Sequence, residues 1–409
     1  MPHITNMEAE YIIKPPTQQL YYRTLAKMMS LLSLGEQTWW GYKPYGTIVY
    51  INSLLVPIFG PLSLTLQIIY LYQNFRILPL NVLGTIFSML PITALVNIKI
   101  RVHKTKKYEN LMKSFMTNIH LHNYKEEDSV VKATIIKIER YTRTMAYCII
   151  FLVNFSWILW SVIPLVNNLN NREAIHNKTM LTQSILYMWM PIDYEYDFQN
   201  WLITHVINIY LIGTGCAFLA IPDIINYTIA MHLIGHVILL KHKIVSSFPT
   251  ELNAKEVKQK LKDLVEYHCF IIKLFKDVES VFGINISANY FNNLLIDSIL
   301  LYQLMNQEKG DRTSLLFGIT IVICMGGLII MSFILEEIRK QSDDLPESLY
   351  GISWENWTVS NQKSLLIILA QLQTELAFVG AGGLRTGVTP MVAIIKSTIS
   401  YYLMLKSTI

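Results

Sequence analysis

The sequence predicts an all-α, polytopic membrane protein with seven transmembrane helices, and three observations predict it. Hydrophobic residues make up 52% of the 409 residues and charged residues only 15%, well below the roughly 25% of soluble domains. Seven mostly apolar runs reach the roughly 20 residues that a helix needs to cross a bilayer. Lys and Arg are concentrated in alternate connections between those runs.

The seven segments differ in how apolar they are. The cores of the first six contain a single Asp, Glu, Lys or Arg, which is Asp297. The seventh is weaker, because it contains Lys396 and many Gly, Thr, Pro and Ser residues. The predicted segments are Gly46–Tyr72, Leu78–Asn97, Thr144–Val166, Trp201–Pro222, Val281–Leu304, Ser314–Leu335 and Thr386–Leu405.

The distribution of basic residues predicts the orientation. Four connections hold 26 Lys and Arg, whereas the three that alternate with them hold five. Because basic residues collect on the cytoplasmic side, the N-terminus is predicted to be cytoplasmic and the C-terminus extracellular, the inverse of a G-protein-coupled receptor. Asn177 begins an Asn-Lys-Thr glycosylation sequon in an outside connection. A second sequon, at Asn356, lies in an inside connection, and the charge count is given precedence over it.

Four parts follow from this topology. Residues 1–45 form a cytoplasmic N-terminal segment, and 46–240 contain the first four transmembrane helices with a helical inside connection at 99–143. Residues 241–385 contain cytoplasmic helical extensions with the fifth and sixth transmembrane helices at 281–304 and 314–335, and 386–409 contain the seventh.

Two kinds of connection are distinctive. Residues 130–138 and 252–276 mix apolar and basic positions at helical spacing, which predicts helices that continue below the membrane. Helices lying on an anionic lipid surface are the alternative. The outside connection 167–200 is aromatic and acidic, which is typical of a membrane interface or of a lid over a ligand site.

Several chemistries are disfavoured. The four cysteines lie in or beside apolar segments, so no disulfide framework is expected. A nucleic-acid partner would require a soluble basic face. No phosphate-binding loop, zinc-protease motif or nucleophile elbow is present, so neither enzyme activity nor a cofactor is predicted. His232 and His236 are four residues apart but have no third ligand nearby in the sequence, so no metal site is predicted.

Four stretches of the sequence have a recognisable pattern: Gly35 to Trp39-Trp40, Trp189–Asp193, Gly380–Gly383 and Val392–Leu405. In these stretches, and in its length and predicted topology, the chain resembles the insect odorant receptors from its N-terminal segment to its last residue. The strongest part of this resemblance lies at the C-terminal end. The chain departs from the family's pattern at two places. Thr374 occupies the proline-like position after Gln373, and the Cys-x-x-Gly common at the inner end of the sixth helix is absent. The long insertion typical of the shared co-receptor is also absent, which indicates an odour-tuned subunit.

The resemblance implies a function. It implies a non-selective cation channel gated by a small volatile ligand and assembled as a heterotetramer with the co-receptor in the plasma membrane of sensory dendrites. It also implies a ligand pocket among the second, third, fourth and sixth helices, and a pore lined by the seventh. Apolar, aromatic and a few polar residues on the outer halves of the relevant helices are the candidate pocket residues: Leu83, Phe87, Trp157, Trp160, His205, Tyr210, Phe317 and Thr320.

The candidate pore face lies on the seventh helix. Ser397, Tyr401, Met404 and Thr408 recur at three- and four-residue spacing and therefore share one face. The resemblance places the gate near Met404 and Thr408. Close helix packing by small residues is the alternative role of this face, and Lys396 can extend its ammonium group to the membrane surface.

The sequence also predicts roles for two acidic residues and leaves two alternative functions to consider. Asp223 and Asp297 are expected to form hydrogen bonds between helices, because a buried carboxylate must be paired or neutralised. A gustatory-type ligand-gated channel is the alternative function. A G-protein-coupled receptor is disfavoured by the predicted cytoplasmic N-terminus.

Overall fold

The computed structural model describes residues 12, 14–44, 46–124, 128–249, 252–306 and 312–408. Every named secondary-structure element in these described residues is a helix. Helices of nine or more residues are α1 (Leu20–Leu31), α2 (Thr47–Asn74), α3 (Leu80–Val102), α4 (Lys106–Ser114), α5 (Ser129–Asn170), α6 (Phe198–Ser247), α7 (Ala254–Asn306), α8 (Thr313–Asp343), α9 (Val359–Leu372) and α10 (Val388–Thr408).

All seven predicted segments lie in long helices. Among the described residues, six helices are long and apolar enough to cross a membrane, namely α2, α3, α5, α6, α8 and α10. The fifth predicted segment lies in α7, which is not among these six. Its sequence explains the difference, because the predicted span contains four asparagines and Asp297, which lower its mean hydropathy.

The prediction of helices in residues 130–138 and 252–276 is confirmed. α5 begins at Ser129, where the Asp128 side chain accepts a hydrogen bond from the first backbone N–H, and it continues without a break through the third predicted segment. α7 contains 53 residues and is therefore about 80 Å long, far more than the roughly 30 Å of a hydrocarbon core. These extensions are continuous with the membrane-spanning segments and are not separate helices on a lipid surface.

The two halves of the bundle bury their side chains differently. In the half predicted to span the membrane, large apolar side chains point outwards, as Ile48 at 82% exposure and Phe151 at 68% illustrate. Such side chains suit contact with lipid. The other half, which is predicted to be cytoplasmic and which we call the inner half, is formed by α1, α4 and the extensions of α5, α6 and α7. Its continuous apolar core includes Tyr22, Phe115 and Leu239. The inner half thus has the interior of a soluble protein.

Candidate functional site

A cavity of about 110 Å³ lies between α2, α3, α5, α6 and α8 in the membrane-spanning half; we call it the first cavity. Its walls are mostly apolar and include Phe59, Ile92 and Val153. Ile185 and Leu186, from the connection between α5 and α6, complete one side. Such a lining suits an uncharged organic molecule, because a charged one would lose its hydration without a partner.

The hydroxyl groups of the first cavity are almost all committed to the protein. Thr320 donates to the Leu316 carbonyl (2.7 Å) and accepts from the Trp160 indole (3.1 Å). Thr93 and Ser63 donate to carbonyls of their own helices. Ser156, which is 4% exposed, is the lining hydroxyl with no hydrogen-bond partner among the described residues. Its proton is available to a ligand.

Three predicted pocket residues line the first cavity. They are Trp160, Tyr210 and Thr320. Phe317 packs behind them, with its ring edge-on to Trp160 at 6.1 Å between centroids. The structure therefore brings four of the eight candidates together.

The other four candidates lie outside the cavity wall. Leu83 is half-buried, and Phe87 is 40% exposed. Trp157 donates its indole N–H to the Ile209 carbonyl (3.0 Å), so it joins α5 to α6. His205 is buried, lies 2.9 Å from the Ser161 carbonyl and stacks on Trp201. The roles proposed for these residues as ligand contacts stay predictions.

One whole side of the cavity is formed by a helix that was not predicted to line it. Val56, Phe59 and Ser63 belong to α2, which lies outside the four helices considered as pocket walls. A helical pattern shows which residues share a face, but an apolar α2 offers no polar face to set its rotation.

The aromatic connection between α5 and α6 is packed into the protein. Tyr187 and Tyr194 are 6% and 3% exposed and lie against Tyr70 of α2. The Tyr70 hydroxyl donates to Glu195 (2.6 Å), which joins α2 to this connection. The segment therefore covers one side of the first cavity as a fixed wall.

The predicted pore residues lie on α10. Ser397 is half-buried, and Tyr401 and Met404 are exposed in the single chain. An adjacent side of the helix is buried at Met391 and Thr398, which are 5% and 2% exposed. The side chain of Thr408 lies outside the described residues. Tyr401 and Met404 are thus available to neighbouring subunits or to water.

The predicted glycosylation site is accessible. Asn177 is exposed and directly follows a short helix, Arg172–His176, in the connection between α5 and α6. An exposed asparagine can receive a glycan. Glycosylation at Asn177 stays a prediction.

A cluster of three potential metal ligands lies in the inner half. His120, Glu139 and His232 place their ligand atoms within 4.8 Å of one another, and all three are buried. The Nε2 atoms of His120 and His232 lie 3.0 and 3.5 Å from Glu139 Oε1. His236 does not belong to this cluster, because it contacts the Ile119 carbonyl and Tyr267.

Hydrogen bonds show what this cluster does. The Nδ1 atoms of His120 and His232 accept from the backbone N–H groups of His122 (3.1 Å) and Leu121 (3.4 Å). A ring nitrogen that accepts carries no proton, so the proton of each neutral ring is on Nε2, facing Glu139. Metal-bound histidines instead donate from the second nitrogen. The geometry therefore favours a hydrogen-bonded junction over a metal site.

Glu139 is the centre of this inner junction, which we define as Tyr22, His120, Glu139, Arg143 and His232. Tyr22 of α1 donates to Oε1 (2.7 Å), and Arg143 donates to Oε2 (3.2 and 3.3 Å). Burial raises the pKa of the Glu139 carboxyl, but the hydrogen bond from His120 and the neighbouring charges, including Arg143, hold it below its usual value. Burial keeps the pKa of His232 well below its usual value. The junction joins α1, α5, α6 and the segment after α4.

The two acidic residues singled out in the sequence behave differently. Asp223 accepts from Lys99 (2.9 Å) and from Asn285 and Asn289 of α7 (3.3 Å each). Its predicted role between helices is confirmed. Asp297 is fully buried, but neither of its carboxylate oxygens has a hydrogen-bond partner among the described residues. The corresponding prediction for Asp297 is wrong.

Comparison with known proteins identifies the family. The sequence profile of a family described as "7tm Odorant receptor" matches residues 80–399. The chain belongs to this family of odorant receptors. Two curated relatives are from Drosophila melanogaster: odorant receptor 46a, isoform A (29% identical over 121 residues), and odorant receptor 82a (22% over 192 residues). The matched stretches span 32% and 49% of those relatives and 29% and 47% of this chain.

Solved structures support the same fold for the odorant receptor chain. It is similar to the insect olfactory receptor OR5 from Machilis hrabei, with a TM-score of 0.78, 14% identity, and coverage of 94% of this chain and 97% of that one. The structure of the same receptor in complex with eugenol gives a TM-score of 0.77 at 14% identity, covering 95% and 98% of the two chains. The likeness extends over almost the whole chain and confirms the all-helical membrane fold.

Proposed function

We propose that this odorant receptor is the odour-binding subunit of a ligand-gated, non-selective cation channel. A small volatile molecule binds in the first cavity, and α10 lines the pore in a heterotetramer with a co-receptor. The observation that carries the proposal is an apolar cavity inside the helix bundle of a family member. The complex of the Machilis hrabei receptor with eugenol supports a small organic ligand.

Contacts between helices offer a route from ligand to pore. Thr320 and Cys324 of α8 line the first cavity. Further along α8, Ser332 lies 2.5 Å from the Tyr290 hydroxyl of α7. That hydroxyl accepts from the backbone N–H of Gly387, immediately before α10 (3.2 Å). A ligand that shifts α8 therefore acts on the joint at which α10 begins.

Gly387 is required at this joint. Its φ of +112° is rarely adopted by residues with a side chain, and a Cβ atom there would lie 2.8 Å from a carboxylate oxygen of Glu336. The joint is therefore built on backbone atoms held by α7 and α8.

Co-expression with the co-receptor in a cell line, with currents recorded against an odour panel, tests the proposal. We expect odour-evoked cation currents that Trp160→Ala abolishes or weakens at least tenfold, because the indole fills one wall and holds Thr320. Trp189→Ala is the matched control, since Trp189 is 41% exposed and outside the cavity. Absence of any odour-evoked current in surface-expressed wild-type complexes would overturn the proposal.

Orientation separates this function from G-protein coupling. A tag at the N-terminus is expected to stay unstained on intact cells and to stain after permeabilisation, as the distribution of basic residues predicts. Surface staining of the intact cells would instead favour a G-protein-coupled receptor. The proposed location is the plasma membrane of sensory dendrites.

A further inference from the structure

A second cavity, of about 90 Å³, adjoins the first. It lies between α3, α5, α6, α7 and α8, towards the end of the bundle at which Lys99 and Asp223 pair. The two cavities share five wall residues, so a single layer of side chains separates them. The shared residues are Ile92, Val153, Leu219, Ile323 and Cys324.

The second cavity differs from the first in its polar wall. Asn289, Asn292 and Asn293 of α7 line it beside Asp223. Asn292 and Asn293 are 5% and 4% exposed, and the side-chain oxygen of each has no hydrogen-bond partner. The amide nitrogen of Asn293 donates to the Asn289 carbonyl (2.8 Å), which fixes which of its two side-chain atoms is the free acceptor.

The unsatisfied groups of this wall call for a donor. Asn293 offers a free amide oxygen, and a buried acceptor without a donor costs about 1–3 kcal/mol. A cation is disfavoured, because the ammonium group of Lys99 lies 2.9 Å from Asp223 and neutralises the wall's carboxylate. Asp223 also accepts from Asn285 and Asn289. A neutral group with an O–H or N–H proton fits the remaining oxygens.

We infer that the second cavity is a subsite for the hydroxyl end of an elongated, amphipathic ligand. The apolar body of the ligand occupies the first cavity, and its terminal hydroxyl crosses the shared wall beside Cys324 and donates to Asn293 or Asn292. The inference rests on the proposed function and specifies the ligand class as medium-chain primary alcohols. It also gives α7, which packs against α10, a direct contact with ligand.

A homologous series of straight-chain primary alcohols, each compared with the methyl ether of equal length, tests the inference in the co-expressed complex. Alcohols and ethers should be equally weak while the chain is short. Beyond the length that reaches the second cavity, the alcohol should become about tenfold more potent than its ether, the value of one buried hydrogen bond. Equal potency at every length, or no response to any alcohol while other odours open the channel, would overturn the inference.

Variants locate the effect. Asn293→Leu and Asn292→Leu should each reduce the ratio of ether to alcohol half-maximal concentrations, and together should bring it to about one. Asn154→Leu is the matched control, because Asn154 makes the same kind of intrahelical bond but is exposed on α5. An unchanged ratio in both cavity variants would contradict the subsite.

These outcomes are distinguishable from failure of the proposed function. If no odour of any kind produces current in surface-expressed complexes, the channel function itself fails. If currents are robust but the alcohol and ether series coincide, only the second subsite fails, and its polar wall then holds water alone.

Discussion

The inner junction and the paired cavities use buried polar groups in opposite ways. In the junction, both oxygens of Glu139 have donors, from Tyr22 on one side and Arg143 on the other. In the cavities, Ser156 and the oxygens of Asn292 and Asn293 have no partner among the described residues. A carboxylate with donors on both oxygens suits a region that holds its helices permanently, and buried polar groups without partners suit a site that a ligand completes. The contrast predicts where a substitution costs stability and where it changes ligand response.

The largest effect is expected at the centre of the junction. Glu139→Ala removes the acceptor and leaves Arg143 buried without its carboxylate, which should cost about 3–5 kcal/mol of folding stability. A loss of melting temperature and of surface expression, measured on the detergent-solubilised receptor, checks this. Glu109→Ala is the control, since the ion pair of Glu109 with Lys113 is exposed. Equal losses in both variants would contradict the contrast.

A smaller loss of folding stability is expected when the pH is lowered. Burial lowers the pKa of His236, in the inner extension of α6, to about 4. Its neutral ring fits its site, because Nε2 donates to the Ile119 carbonyl (2.7 Å) and Nδ1 accepts from Tyr267 (2.8 Å). The unfolded chain binds the proton at about pH 6.5, so this stability is complete above that value and is lost as pH falls towards 4.

At pH 5 the loss of folding stability from His236 should be about 2 kcal/mol, because one pKa unit corresponds to about 1.4 kcal/mol. Melting temperatures at pH 7.5 and pH 5 measure it. His236→Asn should reduce the difference between the two conditions, whereas exposed His176→Asn should leave it as in the wild type. A pH difference that His236→Asn does not reduce would argue against this source.

A change in ligand response without a change in stability is expected at Ser156. Ser156→Ala removes the free hydroxyl proton of the first cavity, so ligands with a carbonyl or ether oxygen should lose about five- to tenfold in potency. Hydrocarbons of similar size should be unaffected and serve as the reference. An equal loss for both ligand classes would indicate altered packing instead.

The smallest effect is expected at the outside connection. Asn177→Gln should increase electrophoretic mobility by removing the glycan, and currents should be unchanged because the side chain is exposed and lines neither cavity. Thr179→Ala, which breaks the same sequon, should give the same shift. An unchanged mobility in both variants would contradict glycosylation at Asn177. The tag experiment would then be the remaining test of the topology.

Much of the helical framework could be predicted from the sequence, because each segment carries its own apolar length. The candidate pocket could be predicted only in part. Trp160 and Thr320 meet as expected, but Phe87 lies 40% exposed and away from the cavity. The rotation of a helix that is apolar all round is set by its neighbours and not by its own pattern. The junction around Glu139 could not be predicted for a different reason, because its members come from distant positions in the sequence.

The joint before α10 separates two kinds of change. Its contacts use the backbone of Gly387 and the side chains of Tyr290 and Ser332, none of which lines either cavity. Cavity residues can therefore be exchanged without altering how the last helix is attached. A repertoire of receptors with different odour preferences can share one opening mechanism on this plan, and a cavity transplanted between members should keep the recipient's conductance.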